Sequence, residues 1–279
     1  MSVPLVITAA ITGSVTAAQD TPHLPISWDA IVEEAVTSWR AGAAIIHLHA
    51  RDEDGVPTQD PQIYQQLVER IRKRECDAIL NLSTGSAGGR AELDERTECL
   101  ELEPELATLD CGSMNFGDQR VFNNPFDFLR RSAAKMSAHG VLPEIEVFDA
   151  GMIANGRRLI DEGLIKGPGV WQLCLGVKGG APADLETFAH LVGRLPEGAF
   201  WSALGVGRHQ LEVNLLTLAA SGHVRTGLED NIYYRRGELA TSNAQLVQRI
   251  VRLAEELGRP VASPADARSL LALGPEQDP

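Results

Sequence analysis

From residue 5 to residue 258 the chain alternates short apolar runs, rich in β-branched residues, with longer stretches whose apolar positions recur every three or four residues. The first kind reads as buried strand and the second as amphipathic helix. "LVITAA" precedes "SWDAIVEEAVTSWRAG", "AAIIHLHA" precedes "DPQIYQQLVERIRKREC", "AILNLST" precedes "DERTECLELE", and "ATLDCGSMNF" precedes "FDFLRRSAAKMSAHG". The couplet recurs as "LPEIEVFDA" with "GMIANGRRLIDEG", "GVWQLCLGV" with "LETFAHLVGRL", "AFWSALGVG" with "QLEVNLLTLAAS", and "HVRTGLED" with "SNAQLVQRIVRLAEELG". Eight strand-helix units in 279 residues predict an α/β protein of the (β/α)8 TIM-barrel class. The expectation is one barrel domain over 1–279, with a short C-terminal helix and tail. A doubly wound sheet is the rival, but its G-x-G-x-x-G fingerprint is missing after the first strand, where "AAITGSV" stands.

Barrels of this class carry their chemistry at the C-terminal ends of the strands, so polar residues there are the ones to question. His47 and His49 close the second strand, and the period of two puts both on one side. Ser83 ends the third strand and Thr108 and Asp110 lie in the fourth, while Glu144 with Glu146 and Arg225 with Glu229 share faces of the fifth and eighth. Burying so many ionisable groups costs several kcal/mol per ion unless each is paired or metal-bound. Closure sets strands two and eight on either side of strand one, so His47, His49 and Glu229 can converge. Two imidazoles and a carboxylate with open positions are the ligand set of a catalytic zinc, and other divalent metals accept it too.

A lone H-x-H is equally compatible with hydrogen-bonded core histidines; joined to "GLED" it favours the metal. His23, His139, His190, His209 and His223 fall in loops, in or beside helices, or at a strand start, and are expected to be structural. Amidohydrolase barrels carry H-x-H on the first strand and further histidines on the fifth and sixth. Here the pair is on the second, and neither "LPEIEVFDA" nor "GVWQLCLGV" holds a histidine.

Composition narrows the partners. With 44% hydrophobic and 23% charged residues the chain has the makings of a full soluble core. Its formal charge of −13 argues against nucleic acid or an anionic membrane, both of which need basic footprints. No apolar stretch reaches the roughly 18 residues of a membrane span. The opening "MSVPLVITAAITGSVTAA" lacks the basic n-region of a secretory signal and reads as strand then loop. Cys76, Cys99, Cys111 and Cys174 form no CxxC pair and are expected as reduced core residues of a cytoplasmic protein.

Taken together, "VITAAITG", "IIHLHARDEDG", "NLSTG", "GSMNFGD", "PEIEVFDAGM", "GHVRTGLEDN" and "SNAQLVQRIVRLAEELGRP" resemble the β-keto acid cleavage enzymes over nearly the whole chain. The resemblance implies a (β/α)8 barrel with a zinc ion that converts a β-keto acid plus acetyl-CoA into acetoacetate plus a new acyl-CoA. By position it implies metal ligands at His47, His49 and Glu229, and polar substrate and catalytic positions at Ser83, Thr108, Glu146, Arg225 and Asp230. Of these Asp230 is the expected proton acceptor, oriented by Arg225. Strict alternation points Asp230 away from Glu229, so it must lie where the strand has already turned into a loop. Glu146 is either a polariser of substrate or the buried partner of Arg225. Oligomeric relatives, often tetramers, imply a homo-oligomer.

Two further expectations concern ligands. CoA phosphates need cations or backbone N–H groups in an acidic protein, and "GVKGG" and "GVGRH" offer glycines for close approach with Lys178 and Arg208 as charges. The branch of the family that cleaves an amino-substituted keto acid has a glutamate after the first strand, facing the substrate ammonium; Val15 stands there in "ITGSVTAAQ". A valine cannot balance a buried cation, so the expected substrate carries an uncharged, short, apolar side chain. Asp20 is the other carboxylate of that loop able to supply the charge. Two rival functions stay open at this point: a metal-dependent retro-aldol lyase that needs no CoA, and a non-catalytic metabolite-binding barrel.

Overall fold

The computed structural model describes residues 3–273; the tail "GPEQDP" lies outside the described residues. Its strands are β1 (Ile7–Ala10), β2 (Ile45–Leu48), β3 (Ile79–Leu82), β4 (Leu106–Asp110), β5 (Leu142–Val147), β6 (Val170–Leu175), β7 (Phe200–Gly205) and β8 (His223–Thr226). Each pairs in parallel with its sequence neighbours, and β1 closes the barrel by pairing with both β2 and β8. The (β/α)8 expectation is met.

Apolar side chains alternate outward. Ile7, Ala9, Ile46, Leu48, Leu80, Leu82 and Val224 pack under the helices on one side of the barrel, and Ala107, Leu109, Ile145, Val147, Trp171, Leu173 and Ala203 on the other. The helices are α1 (Trp28–Arg40), α2 (Pro61–Lys73), α3 (Phe126–Ala138), α4 (Ala150–Asp161), α5 (Leu185–Val192), α6 (Gln210–Ala219), α7 (Asn243–Glu256) and α8 (Pro264–Leu270). Ser27, Asp60, Asp149, Asp184, Ser242 and Ser263 each cap the backbone N–H groups that a helix start leaves unpaired. At the bottom of the barrel Ile45, Ile79, Leu106 and Val170 cluster with Ala267 and Leu271, the latter just past α8, so that end is an apolar plug. The opposite end is polar.

Two departures from the pattern matter for that end. The segment expected as the third helix is a 3-10 helix, Glu95–Leu102, whose buried residues fall in pairs three apart, Arg96 with Cys99 and Thr97 with Leu100. Short antiparallel hairpins also follow three of the strands: Ala50–Arg51 with Pro57–Thr58 after β2, Met114–Phe116 with Arg120–Phe122 after β4, and Tyr233–Arg235 with Glu238–Leu239 after β8. Among the described residues no helix is long and apolar enough to cross a membrane.

Candidate active site

The polar end opens into a cavity of about 710 Å³. Its floor comes from strand ends, with His47, Glu146, Cys174 and Arg225 joined by Asp110. Ser14, Val15 and Thr16 line it from the loop after β1, and Phe116, Arg120 and Phe122 from the hairpin after β4.

His47 ends the inward row of β2, level with Ala10 on one side and Asn81 on the other. His49 follows one residue past the strand. Glu229 does not lie on β8, as a strict reading of the eighth strand expected. The strand stops at Thr226 and the chain turns at Gly227, φ +151°, where an added Cβ would come within 2.0 Å of the Ala10 carbonyl oxygen. The turn is then pinned by the Glu229 N–H donating to Ala10 at 3.1 Å. This returns the carboxylate to the histidines: Glu229 Oε1 stands 3.5 Å from His47 Nε2 and 3.2 Å from His49 Nε2.

The arrangement fits a divalent cation. One ligand atom from each of His47, His49 and Glu229 lies within 4.8 Å of the others. His47 Nδ1 and Glu229 Oε2 are buried with no hydrogen-bond partner, although buried polar atoms nearly always have one. Burial holds the His47 imidazole down to about 4, against the pull of Glu229, so it is neutral at pH 7. Burial alone would push Glu229 up, but His49, His47 and Arg225 hold it well below the usual carboxylate range. A neutral imidazole and an ionised carboxylate are the forms that ligate metal.

Arg225 organises the rest. Its Nε and Nη2 each donate to Asp230 at 3.0 Å, Nη1 donates to Glu146 at 2.9 Å, and Nη2 donates to Glu229 at 2.7 Å. Burial would lower its pKa, but Asp230, Glu229 and Glu146 hold it fully ionised. Asp230 lies past the strand in the turn, as alternation required, and burial raises its carboxyl against the pull of Arg225. Five carboxylates lie in the barrel interior: Asp110, Glu146, Glu229 and Asp230 line the cavity, and Glu144 stands deeper, level with Thr108 and accepting from Asn81 at 2.6 Å. The guanidinium groups that contact them are those of Arg225 and Arg96. Three negative charges are left over, which a divalent cation and one retained proton would offset.

The remaining expected residues divide. Ser83 is buried at the cavity wall, its Oγ accepting from the Gly85 N–H at 3.0 Å, and Val15 is half exposed at the mouth. Asp20 is exposed outside the lining, with its carboxylate accepting from the Ala17 N–H at 2.8 Å. Thr108 sits behind the wall, its hydroxyl accepting from the Thr84 N–H at 3.0 Å, and is not among the lining residues. Lys178 lines the rim, ion-paired with Asp118. Arg208 does not reach the cavity; its Nε donates to neighbouring His209 at 3.2 Å.

Sequence reasoning missed Arg120, Phe116 and Phe122, because a hairpin of three-residue strands shows no hydrophobic period, and it missed Phe148, which stands just past β5 and lines the cavity beside them. It also missed Arg51, which holds the Val15 loop by donating to the carbonyls of Gly13 and Thr16, each at 2.8 Å.

A sequence model of the beta-keto acid cleavage enzyme family matches residues 4–273. The chain is 44% identical to the 3-keto-5-aminohexanoate cleavage enzyme of Fusobacterium nucleatum, over 96% of this chain and 98% of that one. It is 41% identical to the 3-oxoadipate:acetyl-CoA acetyltransferase of Cupriavidus necator, over 98% and 96% respectively. Among solved structures, a ternary complex of ObcA with C4-CoA adduct and oxalate shares the fold with TM-score 0.78 at 23% identity, covering 91% of this chain and 68% of that one.

Proposed function

The chain belongs to the beta-keto acid cleavage enzyme family, and from that premise we propose that it condenses a β-keto acid with acetyl-CoA and releases acetoacetate and a new acyl-CoA. The observation that carries this reading is the convergence of a three-ligand metal site with a second carboxylate, Asp230, on one guanidinium.

His47, His49 and Glu229 would hold the cation, for which zinc is the first candidate. When bound, it supplies Lewis acidity at the keto oxygen and carboxylate of the substrate, making the C2 proton easier to remove. Asp230 takes that proton on its carboxylate. Arg225 provides fixed positive charge beside the carbanion as it forms, in a dry site where such charge is worth most. The carbanion attacks the thioester carbonyl of acetyl-CoA, forming a carbon-carbon bond. The CoA sulfur moves to the original keto carbon, the bond between that carbon and C2 breaks, and Asp230 returns its proton to C2 of acetoacetate.

Lys178, ion-paired with Asp118, and Arg120 line the cavity and are the candidate cations for the CoA phosphates. Val15, with Asp20 outside the lining, supports an uncharged substrate side chain. The test is acetoacetate release from a panel of β-keto acids with and without acetyl-CoA. Release that depends on acetyl-CoA, with matching acyl-CoA formation, is expected; equal release without it would instead establish a lyase. Four free, buried cysteines support a cytoplasmic protein, and the family resemblance supports a homo-oligomer, for which light scattering of the purified protein is the check.

A further inference from the structure

Arg96 is the largest fully buried side chain after Trp171, and the reaction as described does not use it. It stands on the 3-10 helix, 2% exposed, and every nitrogen is engaged. Nε donates to the Thr84 carbonyl at 2.7 Å, Nη1 to the Asn123 carbonyl at 3.1 Å, and Nη2 to Asn124 Oδ1 at 2.8 Å. Its planar faces lie against Phe122 and Phe128, with centroids 5.0 and 4.8 Å from the guanidinium carbon. Nη2 is also 3.8 Å from Asp110 Oδ2. One side chain therefore ties the loop after β3, the end of β4 and the hairpin that walls the cavity.

Asp110 ends β4 level with Glu146 on β5, and both line the cavity. Two carboxyl groups side by side in a buried site cannot both ionise cheaply. A proton retained on Glu146 would lie between the two and be donated to Asp110, its neighbour across the strand pair. Burial, first, and then the charges of Asp110 and Glu144 push Glu146 well up against the pull of Arg225; burial also raises Asp110, but Arg96, this hydrogen bond, His49 and Arg225 pull it back. Glu146 in turn accepts from Arg225, whose other contacts are Asp230 and Glu229. The groups form a chain in which the Glu146 carboxyl separates two ion pairs: Arg96 with Asp110 on one side, and Arg225 with Asp230 on the other.

We propose that Arg96 and Asp110 form a positioning pair for the acid-base centre: Arg96 fixes the charge of Asp110, Asp110 holds the Glu146 carboxyl, and Glu146 so held keeps Arg225 aimed at Asp230. Without Arg96, Asp110 would sit uncompensated beside Glu146, and Arg225 would be the nearest cation to draw toward β4 and β5. The proposal rests on the reaction reading only for the role of Asp230; the pair itself is testable without turnover.

The experiment has two arms on metal-loaded protein. In the first, infrared spectra at neutral pH look for the carbonyl band of a buried protonated carboxyl. The part of the band that belongs to Glu146, set apart from that of Glu144 by a Glu144→Gln control, should be present in the unmodified protein, absent in Glu146→Gln, and shifted or absent in Asp110→Asn. A band unchanged by both substitutions overturns the pair.

The second arm measures kcat and KM with the best β-keto acid of the panel and acetyl-CoA. Asp110→Asn and Arg96→Met should each lower kcat roughly 10- to 100-fold, the scale of a small misplacement of catalytic groups, with metal content kept and KM for the keto acid little changed. The double variant Arg96→Met/Asp110→Asn removes both charges and should recover part of the kcat that Arg96→Met loses. A merely structural arginine predicts no such recovery. A double variant no better than Arg96→Met, or single variants with full kcat, would sink the proposal. If Arg96→Met does not fold, Arg96→Lys keeps the charge without the fork, and its kcat should fall while its infrared band stays. If the unmodified protein transfers no acyl group from any keto acid, the reaction reading falls and the infrared arm still decides the pair.

Discussion

Removing either imidazole of the H-x-H pair leaves two ligands, too few to retain a divalent cation in competition with water. His47→Ala and His49→Ala are expected to lower metal affinity by more than about 100-fold, beyond the 10- to 100-fold typical of losing an outer-shell partner. The circular dichroism spectrum should not change, because both residues stand at the cavity and not in the apolar layers. Stoichiometric metal in the His47→Ala/His49→Ala double variant would end the assignment. Val15 makes a second prediction at this scale. It lines the mouth and no carboxylate replaces it there, since Asp20 is bonded to its own loop. The kcat/KM for 3-oxohexanoate should exceed that for 3-keto-5-aminohexanoate, by about 10-fold and not more because Val15 is half exposed and water offsets part of the cost of an unpaired ammonium. Val15→Glu should narrow the gap, and a clear preference of the unmodified protein for the amino compound refutes the reading. The histidines were legible because a period of two puts both on one face and barrel closure sets β2 and β8 beside β1; the Gly227 turn that completes the approach of Glu229 was not. Arg96 and Arg51 were not, because their partners are mostly backbone carbonyls that only the folded loops present.

At the scale of elements, the turn after β8 decides whether Glu229 and Asp230 reach the site at all. Gly227 has a backbone conformation that a side chain rarely adopts and no room for a Cβ beside Ala10. Gly227→Ala should therefore cost about 1–3 kcal/mol in backbone strain alone, with the overlap adding to it. Displacing the turn should also move Glu229 and lower the metal content. Urea unfolding with metal analysis checks both; an unchanged midpoint with full metal would show that the turn tolerates a side chain. The eight strands were read correctly because their outward faces are continuous apolar rows under helices. The 3-10 segment was not told from an α-helix, since "ERTECLEL" has charged residues around most of its circumference and two buried pairs only. The hairpins have strands of two or three residues, too short for alternation to register.

At the scale of the whole molecule, the two ends of the barrel respond to acid in opposite directions. At the polar end, buried carboxyls such as Glu144 and Glu146 have raised pKa values, so the stability they confer is present at low pH and lost as pH rises. At the plugged end, His223 is buried and stacked on Phe200 at 4.1 Å, with Nδ1 accepting from the Val6 N–H at 3.0 Å. Burial, with Arg259 nearby, holds it down to about 3. The unfolded chain takes up a proton at this residue near pH 6.5, which the folded protein refuses until near pH 3. Stability must then fall as pH drops through that window. Between pH 7 and pH 5 the loss from this one group is roughly 2 kcal/mol, from a slope approaching 1.36 kcal/mol per pH unit. His223→Gln removes the titration while leaving the carboxyls of the other end untouched. Its unfolding free energy, measured by urea titration across pH 7 to 5, should fall less steeply than that of the unmodified protein by about that amount. Parallel curves would mean that the plugged end accepts a proton without opening, and would refute the assignment of acid sensitivity to His223.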